Sequence, residues 1–328
     1  MKVLLLGGSG LLGGPARDAF LAAGHDVTVV SRGAIENPAS IRAIRVDRKD
    51  RAGLRAALAG ARFDFTVDFL AYDQDDVTSL FASGVAPGKL VMISTGQVYL
   101  VAKDPRPPFR EADAAAPAMP EPERDTRAHG NWVYGMGKRA AEAALVRESS
   151  ERGLASLALR IPAVQGEADG RSTARLWAWI QRMRYGGPVH APESPSGLRF
   201  VYSGDVAAAL LKLAEGDTWP SVPALNLAQP EEHTLREFLE LVARAGSITP
   251  TFVSIDAERL ARAGLADALP YTGPWWSNPD PAAARALGFR TRGPEEYLPS
   301  VVRAHLDHPP ASHEGYAVRP KELALLRQ

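Results

Sequence analysis

Near its start the chain reads Val3-Leu4-Leu5-Leu6-Gly7-Gly8-Ser9-Gly10-Leu11-Leu12-Gly13, an unbroken apolar run that passes straight into a glycine cluster. An apolar run without alternation fits a strand buried on both faces, as in a parallel sheet covered by helices. The glycines read as G-x-G-x-x-G from Gly8 or as G-x-x-G-x-x-G from Gly7. Either register allows a tight turn and brings backbone close to a pyrophosphate, whose charge rests on the N-terminus of the following helix. Pro15 falls in that helix's first turn, where its missing N–H costs little. Gly7, Gly10, Leu11, Leu12 and Gly13 are therefore candidate contacts to a dinucleotide.

Outward from this turn, short apolar runs alternate with helix-like stretches. Val27–Val30, Ile44–Val46, Phe65–Phe69 and Leu90–Ile93 read as further strands, and Ala16–Ala23, Leu54–Leu58 and Val77–Phe81 as the helices between them. With right-handed crossovers this predicts an α/β fold with a doubly wound parallel sheet of the Rossmann type. Pro105–Glu123 reads as a long loop, Tyr134–Arg147 as a strong helix and Leu157–Ile161 as another core strand. Beyond it lie shorter strands, proline-rich turns and helices such as Leu235–Arg244, the composition of a smaller C-terminal substrate lobe. The expected division is 1–165 as the dinucleotide-binding domain carrying the tyrosine helix, and 166–307 mainly as the substrate lobe, with some chain returning to the sheet. Residues 308–328 are expected to form a surface tail.

The cofactor's type is read at the end of the second strand. An NAD site usually places a carboxylate about 20 residues past the glycines to bind the ribose hydroxyls. Ser31-Arg32 stands there instead, a hydroxyl and a guanidinium suited to a 2′-phosphate. NADP(H) is thus favoured, with NAD(H) the alternative, and Asp47-Arg48 after the third strand are placed beside the adenine. Tyr134 and Lys138 form a Y-x-x-x-K pair, whose spacing puts both heads on one helix face. A neighbouring ammonium favours the phenolate of a tyrosine otherwise too weak a base at neutral pH. Tyr99 and Lys103 repeat the spacing, but Pro105, Pro107 and Pro108 follow and break the helix needed to align them.

Taken with Ile93–Tyr99, Leu159–Pro162 and Phe200–Val206, these motifs fall in the order and spacing of the extended short-chain dehydrogenase/reductase family, the NAD(P)-dependent epimerases and dehydratases, which the chain resembles over most of residues 1–215. The resemblance implies that Thr95 is the catalytic hydroxyl beside Tyr134 and Lys138. It implies that Leu70, Ala71, Ile161 and Ala163 touch the cofactor, together with Tyr134 and Lys138, and that Gln97, Tyr99 and Arg199 face the substrate. Asp205 is expected to cap the helix that begins at Val206.

Departures from the family narrow the chemistry. Sugar-nucleotide 4,6-dehydratases carry Thr-Asp-Glu where this chain has Thr95-Gly96-Gln97, so the acid and base of dehydration are missing. Ala163 stands where many epimerases hold the substrate phosphate with Asn. Leu198 stands at the place of their strand arginine, and Arg199 comes one residue late. The expected activity is NAD(P)-dependent epimerisation or reduction at an alcohol or carbonyl of a small, sugar-like substrate. The alternative is a non-catalytic NADP(H)-binding sensor, or an RNA- or protein-binding module on the same fold. Val46-Asp47-Arg48 and Asp68–Tyr72 resemble such an atypical, plastid RNA-binding branch.

Composition bounds these readings. The 328 residues carry 38 Lys+Arg against 38 Asp+Glu, so no net charge draws the chain to nucleic acid or an anionic membrane. With no cysteine there is no thiolate chemistry or disulfide. The N-terminal apolar run is too short for a signal peptide, and no run approaches the ~18 apolar residues of a membrane span. A cytoplasmic protein is expected, with no metal, and by analogy a homodimer. His305, His308 and His313 read as solvated. Asp73, Asp75 and Asp76 read as helix N-terminal charges, and Trp177, Trp179, Trp275 and Trp276 as packing of the smaller lobe. Arg110–Arg127 reads as an exposed loop or a substrate lid.

Overall fold

The structure, a computed structural model, describes all residues except 34–39, 169–170, 192–196, 266–267, 273–275, 311–313 and 327–328. Its elements are β1 (Lys2–Leu6), α1 (Gly13–Ala22), β2 (Asp26–Ser31), β3 (Arg42–Arg45), α2 (Arg51–Leu58), β4 (Phe65–Asp68), α3 (Gln74–Ala82) and β5 (Lys89–Thr95). There follow α4 (Gln97–Leu100), α5 (Arg127–Glu151), β6 (Ser156–Ile161), β7 (Ala163–Gln165), α6 (Arg171–Arg184), β8 (Val189–His190), β9 (Phe200–Tyr202) and α7 (Ser203–Glu215). The chain closes with β10 (Ala224–Asn226), α8 (Leu235–Ala245), β11 (Phe252–Val253), α9 (Ala257–Arg262), α10 (Ala282–Ala286), α11 (Pro294–Asp307), α12 (Glu314–Ala317) and α13 (Arg319–Leu326).

The unbroken apolar run of β1 has a simple cause. Val3 and Leu5 enter one core layer with Ala16 and Phe20 of α1 and Val206 and Leu210 of α7. Leu4 and Leu6 enter the opposite layer with Leu54, Leu58, Val77, Leu80, Ala141 and Leu145. Side chains alternate faces along a strand, so only a strand covered on both sides needs every position apolar. The seven-stranded sheet runs β10-β6-β5-β4-β1-β2-β3, and every pairing in it is parallel. The chain winds from β1 outward to β3 and then crosses to β4 on the other side of β1. That reversal opens a crevice at the carboxyl ends of the strands, where this class of sheet binds ligands. Gly13 must be glycine here, because a Cβ on it would lie 2.1 Å from the Gly7 carbonyl oxygen.

The smaller lobe packs α6, α8 and α11 around Trp179, Phe200, Phe238, Tyr271 and Tyr297. Trp177 and Trp179 are core residues of it, with the Trp179 indole N–H donating to the Pro270 carbonyl at 3.1 Å; Trp275 lies outside the described residues. Asp205 does not cap a helix. It lies inside the first turn of α7, where its carboxylate accepts from the Arg292 backbone N–H at 2.6 Å and from Arg292 Nε at 2.7 Å. Asp73 does cap α3, accepting from Asp76 N at 2.8 Å, whereas Asp76 is buried and ion-paired.

The segment expected to be a surface tail is docked. Glu322 on α13 is fully buried and meets Arg182 of α6 at 2.8 Å and Arg319 at 2.7 Å. Arg182 also donates to the Gly315 carbonyl. Two guanidiniums around one carboxylate offset the cost of removing all three from water, so the end of the chain is held inside the lobe. His305 is likewise buried rather than solvated, with Nδ1 2.7 Å from the Val301 carbonyl oxygen; His313 lies outside the described residues. No described helix is long and apolar enough to cross a membrane, and among the described residues no cluster could hold a metal ion.

Candidate active site

A cleft of about 750 Å³ opens at the carboxyl ends of β4, β5 and β6. Its floor begins at the glycine turn. The first turn of α1 has neither a side-chain cap nor an acidic residue, whereas Asp50, Asp73, Thr126 and Thr234 cap α2, α3, α5 and α8. Uncapped N–H groups beside a backbone that leaves no room for a Cβ fit the pyrophosphate of a dinucleotide. Leu12 lines the cleft. Leu11 packs against the core layer beneath, and Leu70 lies over Gly7, with Cγ 2.8 Å from where a Cβ would stand.

At the end of β2, Arg32 is exposed and the Ser31 hydroxyl accepts from Gly33 N at 3.2 Å. Arg45, at the end of β3, donates through Nε to the Arg32 carbonyl at 3.1 Å. A second guanidinium thus stands at this edge, which sequence reading missed because β3 pairs with β2 only in the fold. Asp47 is exposed and accepts from Lys49 N. Arg48, expected beside the adenine, is instead turned inward. It donates to both Asp68 carboxylate oxygens at 2.7 Å and to the Asp76 carbonyl at 2.5 Å. A buried guanidinium is satisfied only by such partners, and these carboxylates hold its pKa up against burial.

The tyrosine helix starts earlier than expected, at Arg127, because Thr126 caps it by accepting from His129 N at 3.1 Å. Gly137 lets α5 lie directly against the chain after β4, since a Cβ there would sit 2.7 Å from the Tyr72 carbonyl oxygen. Within this seat Tyr134 lines the same cleft as Thr95 at the end of β5. Burial, then Tyr72, raises the Tyr134 pKa; the Thr95 contact and the charge of Arg175 oppose the rise. Lys138 is 3% exposed and donates to the Ala71 carbonyl at 2.6 Å and the Ile93 carbonyl at 2.9 Å. An ammonium has three donors, so one remains for the cleft that Lys138 lines. Burial lowers its pKa to about 8, while Asp68 and Glu142 work to keep the charge and Arg48 works against it.

Ile161, Ala163 and Gln97 also line the cleft. Tyr99 and Arg199, expected to face the substrate, do not. Tyr99 is 1% exposed, stacks on Phe109 at 5.0 Å and donates to Asn226 Oδ1 at 2.6 Å. Arg199 is held by Glu232 at 3.1 Å and by Asn278. Its neighbour Leu198 is buried in the lobe core, so the one-residue shift read in the sequence turns the guanidinium away from the cleft. The Arg110–Arg127 stretch is not a free lid at its start. Glu111 accepts from Asn226 N at 2.9 Å, and Phe109, just before it, is buried.

Sequence reading missed the support behind the site. Ser94, which lines the cleft, donates to Glu142 at 2.5 Å, and Arg160 grips the same carboxylate at 3.0 and 2.6 Å. Glu142 lies four residues after Lys138, a local signal that was available; its partner Arg160 comes from the neighbouring strand β6. Arg175 and Trp276, from the smaller lobe, close the far wall, with the guanidinium 5.2 Å from the indole centroid.

The sequence model of the NAD-dependent epimerase/dehydratase family matches residues 3–228. Among curated proteins the chain is similar to a 2′-dehydrokanamycin reductase of Streptomyces kanamyceticus. The two are 27% identical over 264 residues, which span 79% of this chain and 70% of that protein. Among solved structures it resembles the UDP-glucose 4-epimerase of Thermus thermophilus in complex with NAD. That likeness has a TM-score of 0.67 and 23% identity, covering 94% of this chain and all of the other (100%). The UDP-glucose 4-epimerase of Thermotoga maritima, solved with UDP-glucose, gives a TM-score of 0.70 at 19% identity over 94% and 99% of the two chains. These structural likenesses bear on the fold.

Proposed function

Because this chain belongs to the NAD-dependent epimerase/dehydratase family, we propose that it is an oxidoreductase acting on a hydroxyl or carbonyl carbon of a small polyhydroxylated substrate, with NADP(H) as cofactor. The observation that carries this reading is the meeting of Thr95, Tyr134 and Lys138 in one cleft beside an uncapped, glycine-walled helix start. When bound, the dinucleotide supplies hydride exchange. Thr95 orients the substrate oxygen, Tyr134 donates its proton to that oxygen in reduction and takes it back in oxidation, and Lys138 stabilises the phenolate that results. Gly96 supports hydride chemistry without dehydration. A Cβ at that position would lie 2.0 Å from Ser277 Oγ, so an acid there would have to displace Ser277. If the cofactor is kept through one turnover, the same residues epimerise; if it is exchanged, they reduce.

Arg32, with Arg45 beside it, carries the cofactor preference in this proposal. NADPH is expected to bind at least tenfold more tightly than NADH, and Arg32→Ala to remove most of that difference, as for one or two charge-assisted hydrogen bonds of about 1.5–3 kcal/mol each. Titration of both reduced cofactors by fluorescence checks this. Equal affinities in the unaltered protein would end the NADP(H) assignment.

The Lys138 pKa sets a pH limb. A lowered lysine pKa means that the charge needed to hold the Tyr134 phenolate is present below about pH 8 and lost above it. NADPH-driven reduction is therefore expected to hold steady up to that region and to fall beyond it. Lys138→Arg, which keeps its charge, should lose that descending limb even where its rate is lower. A wild-type profile still rising at pH 9 to 10, roughly where an unperturbed lysine titrates, would contradict the assignment.

A further inference from the structure

Gly96 carries no side chain, yet the place where one would stand is filled. A Cβ on it would lie 2.0 Å from Ser277 Oγ and 2.4 Å from Ser277 Cβ. Thr95 and Gln97, on either side of it, line the cleft, and so does Ser277, which arrives from the smaller lobe. The tyrosine helix is close by: at Gly135, next to Tyr134, a Cβ would lie 2.9 Å from the Gln97 carbonyl oxygen. Ser277 is held in this place by the residues that follow it. Asn278 is buried, its carbonyl accepts from Phe109 N at 2.9 Å, and the Phe109 carbonyl accepts from Asp280 N at 2.7 Å. Asn226, at the end of β10, fastens this pairing to the main sheet by donating through Nδ2 to the carbonyls of Phe109 at 2.9 Å and Asp280 at 3.2 Å. No described residue hydrogen-bonds the Ser277 hydroxyl, which leaves its donor and its acceptor sites to the cleft it lines.

We infer that Ser277 supplies the side chain that position 96 lacks, and that its hydroxyl binds a substrate hydroxyl on the carbon next to the one that exchanges hydride, so that the protein selects α-hydroxy ketones over ketones without that group. The inference rests on the hydride reading for which carbon reacts; the seat of Ser277 stands apart from it. Successive Cα atoms lie about 3.8 Å apart, so a hydroxyl in the side-chain place of residue 96 is a near neighbour of the Thr95 hydroxyl. Two neighbouring hydroxyls suit two oxygens on adjacent carbons. Thr95 Oγ1 accepts from Gln97 N at 3.2 Å, which leaves its own proton for the oxygen that reacts. Ser277 then takes the second oxygen. A serine hydroxyl does not titrate near neutral pH, so it holds that oxygen without expelling it as water.

The test compares NADPH oxidation by 2-hydroxycyclohexanone and by cyclohexanone, which differ in that one hydroxyl. The hydroxy ketone is expected to have the higher kcat/KM by about tenfold, as for one hydrogen bond. Ser277→Ala should bring the two ketones to within about twofold of each other. Gly96→Ser/Ser277→Gly, which returns a hydroxyl to the same place from the other segment, should recover the preference. Gly96→Ala alone should lower the midpoint of thermal unfolding, and adding Ser277→Gly should restore it. Equal kcat/KM in the unaltered protein, a preference that survives Ser277→Ala, a folded exchange variant that does not recover it, or an unchanged midpoint for Gly96→Ala would overturn the inference. If neither ketone oxidises NADPH, that counts against the hydride reading, and calorimetric titration of the NADP⁺-loaded protein with the same two ketones decides on Ser277. There an affinity preference of about tenfold that is lost in Ser277→Ala upholds the contact, whereas equal or absent binding overturns it.

Discussion

Tyr134→Phe is expected to lower NADPH-dependent turnover by about 10³-fold, equivalent to about 4 kcal/mol of transition-state stabilisation, while leaving cofactor affinity and folding in place. The phenol lies in the cleft with Thr95 and has a buried ammonium one helical turn away. Without its proton, the alkoxide formed by hydride addition loses its acid and keeps the Thr95 hydroxyl as an orienting donor. Folding should be indifferent, because the ring, which packs beside Tyr72 at 6.2 Å, persists in phenylalanine. Thr95→Ala should cost less, about 10- to 100-fold, since a tyrosine without its orienting partner still donates. Single-turnover measurement of NADPH oxidation separates the chemical step from product release. Undiminished turnover by the phenylalanine variant would remove Tyr134 from the mechanism.

The largest effect on stability is expected from Glu322→Ala, about 3–5 kcal/mol by urea unfolding, as for other buried ion pairs broken from one side. Among the described residues Glu322 is the sole carboxylate that meets both Arg182 and Arg319, and the side chains of all three are almost wholly removed from water. Deleting it leaves two guanidiniums buried together, so the end of the chain should undock, and the urea dependence should become shallower or lose its two-state form. The paired replacement Arg182→Met/Glu322→Leu should lose much less, because it removes charge along with counter-charge. A loss below about 1 kcal/mol for Glu322→Ala would mean that solvent reaches this cluster.

How far the sequence alone reaches depends on whether a signal is local. Val3 to Leu6 and the glycines after them are read from adjacent residues, and so is the meeting of Tyr134 with Lys138, because a helix brings i and i+4 together. The parallel sheet followed from the same run. What stayed hidden depends on partners that only the fold brings near. Arg48 reads as a cofactor contact until Asp68 and Asp76, from β4 and α3, are found to enclose it. Tyr99 reads as a substrate contact until Arg160 and Asn226 claim its hydroxyl. Residues 308–328 read as a surface tail until Arg182, 140 positions before Glu322, is found to hold that carboxylate. In each case a polar side chain looks available in the sequence because burial is not written there, and once buried it must be paired.

The seat of Gly137 against the Tyr72 carbonyl bears on how such a protein can change. Helix and crossover are in backbone contact at that point, with no side chain between them to trim or enlarge, so the helix that carries Tyr134 and Lys138 is fixed by main chain. The opposite wall is built differently, from long side chains such as Arg175 and Trp276 that ordinary substitution can alter one at a time. Descendants of this chain could therefore trade one substrate for another through the wall while inheriting the proton chemistry unchanged. A directed-evolution library would be best spent on Arg127, Arg175, Thr272 and Trp276, with the tyrosine helix left alone.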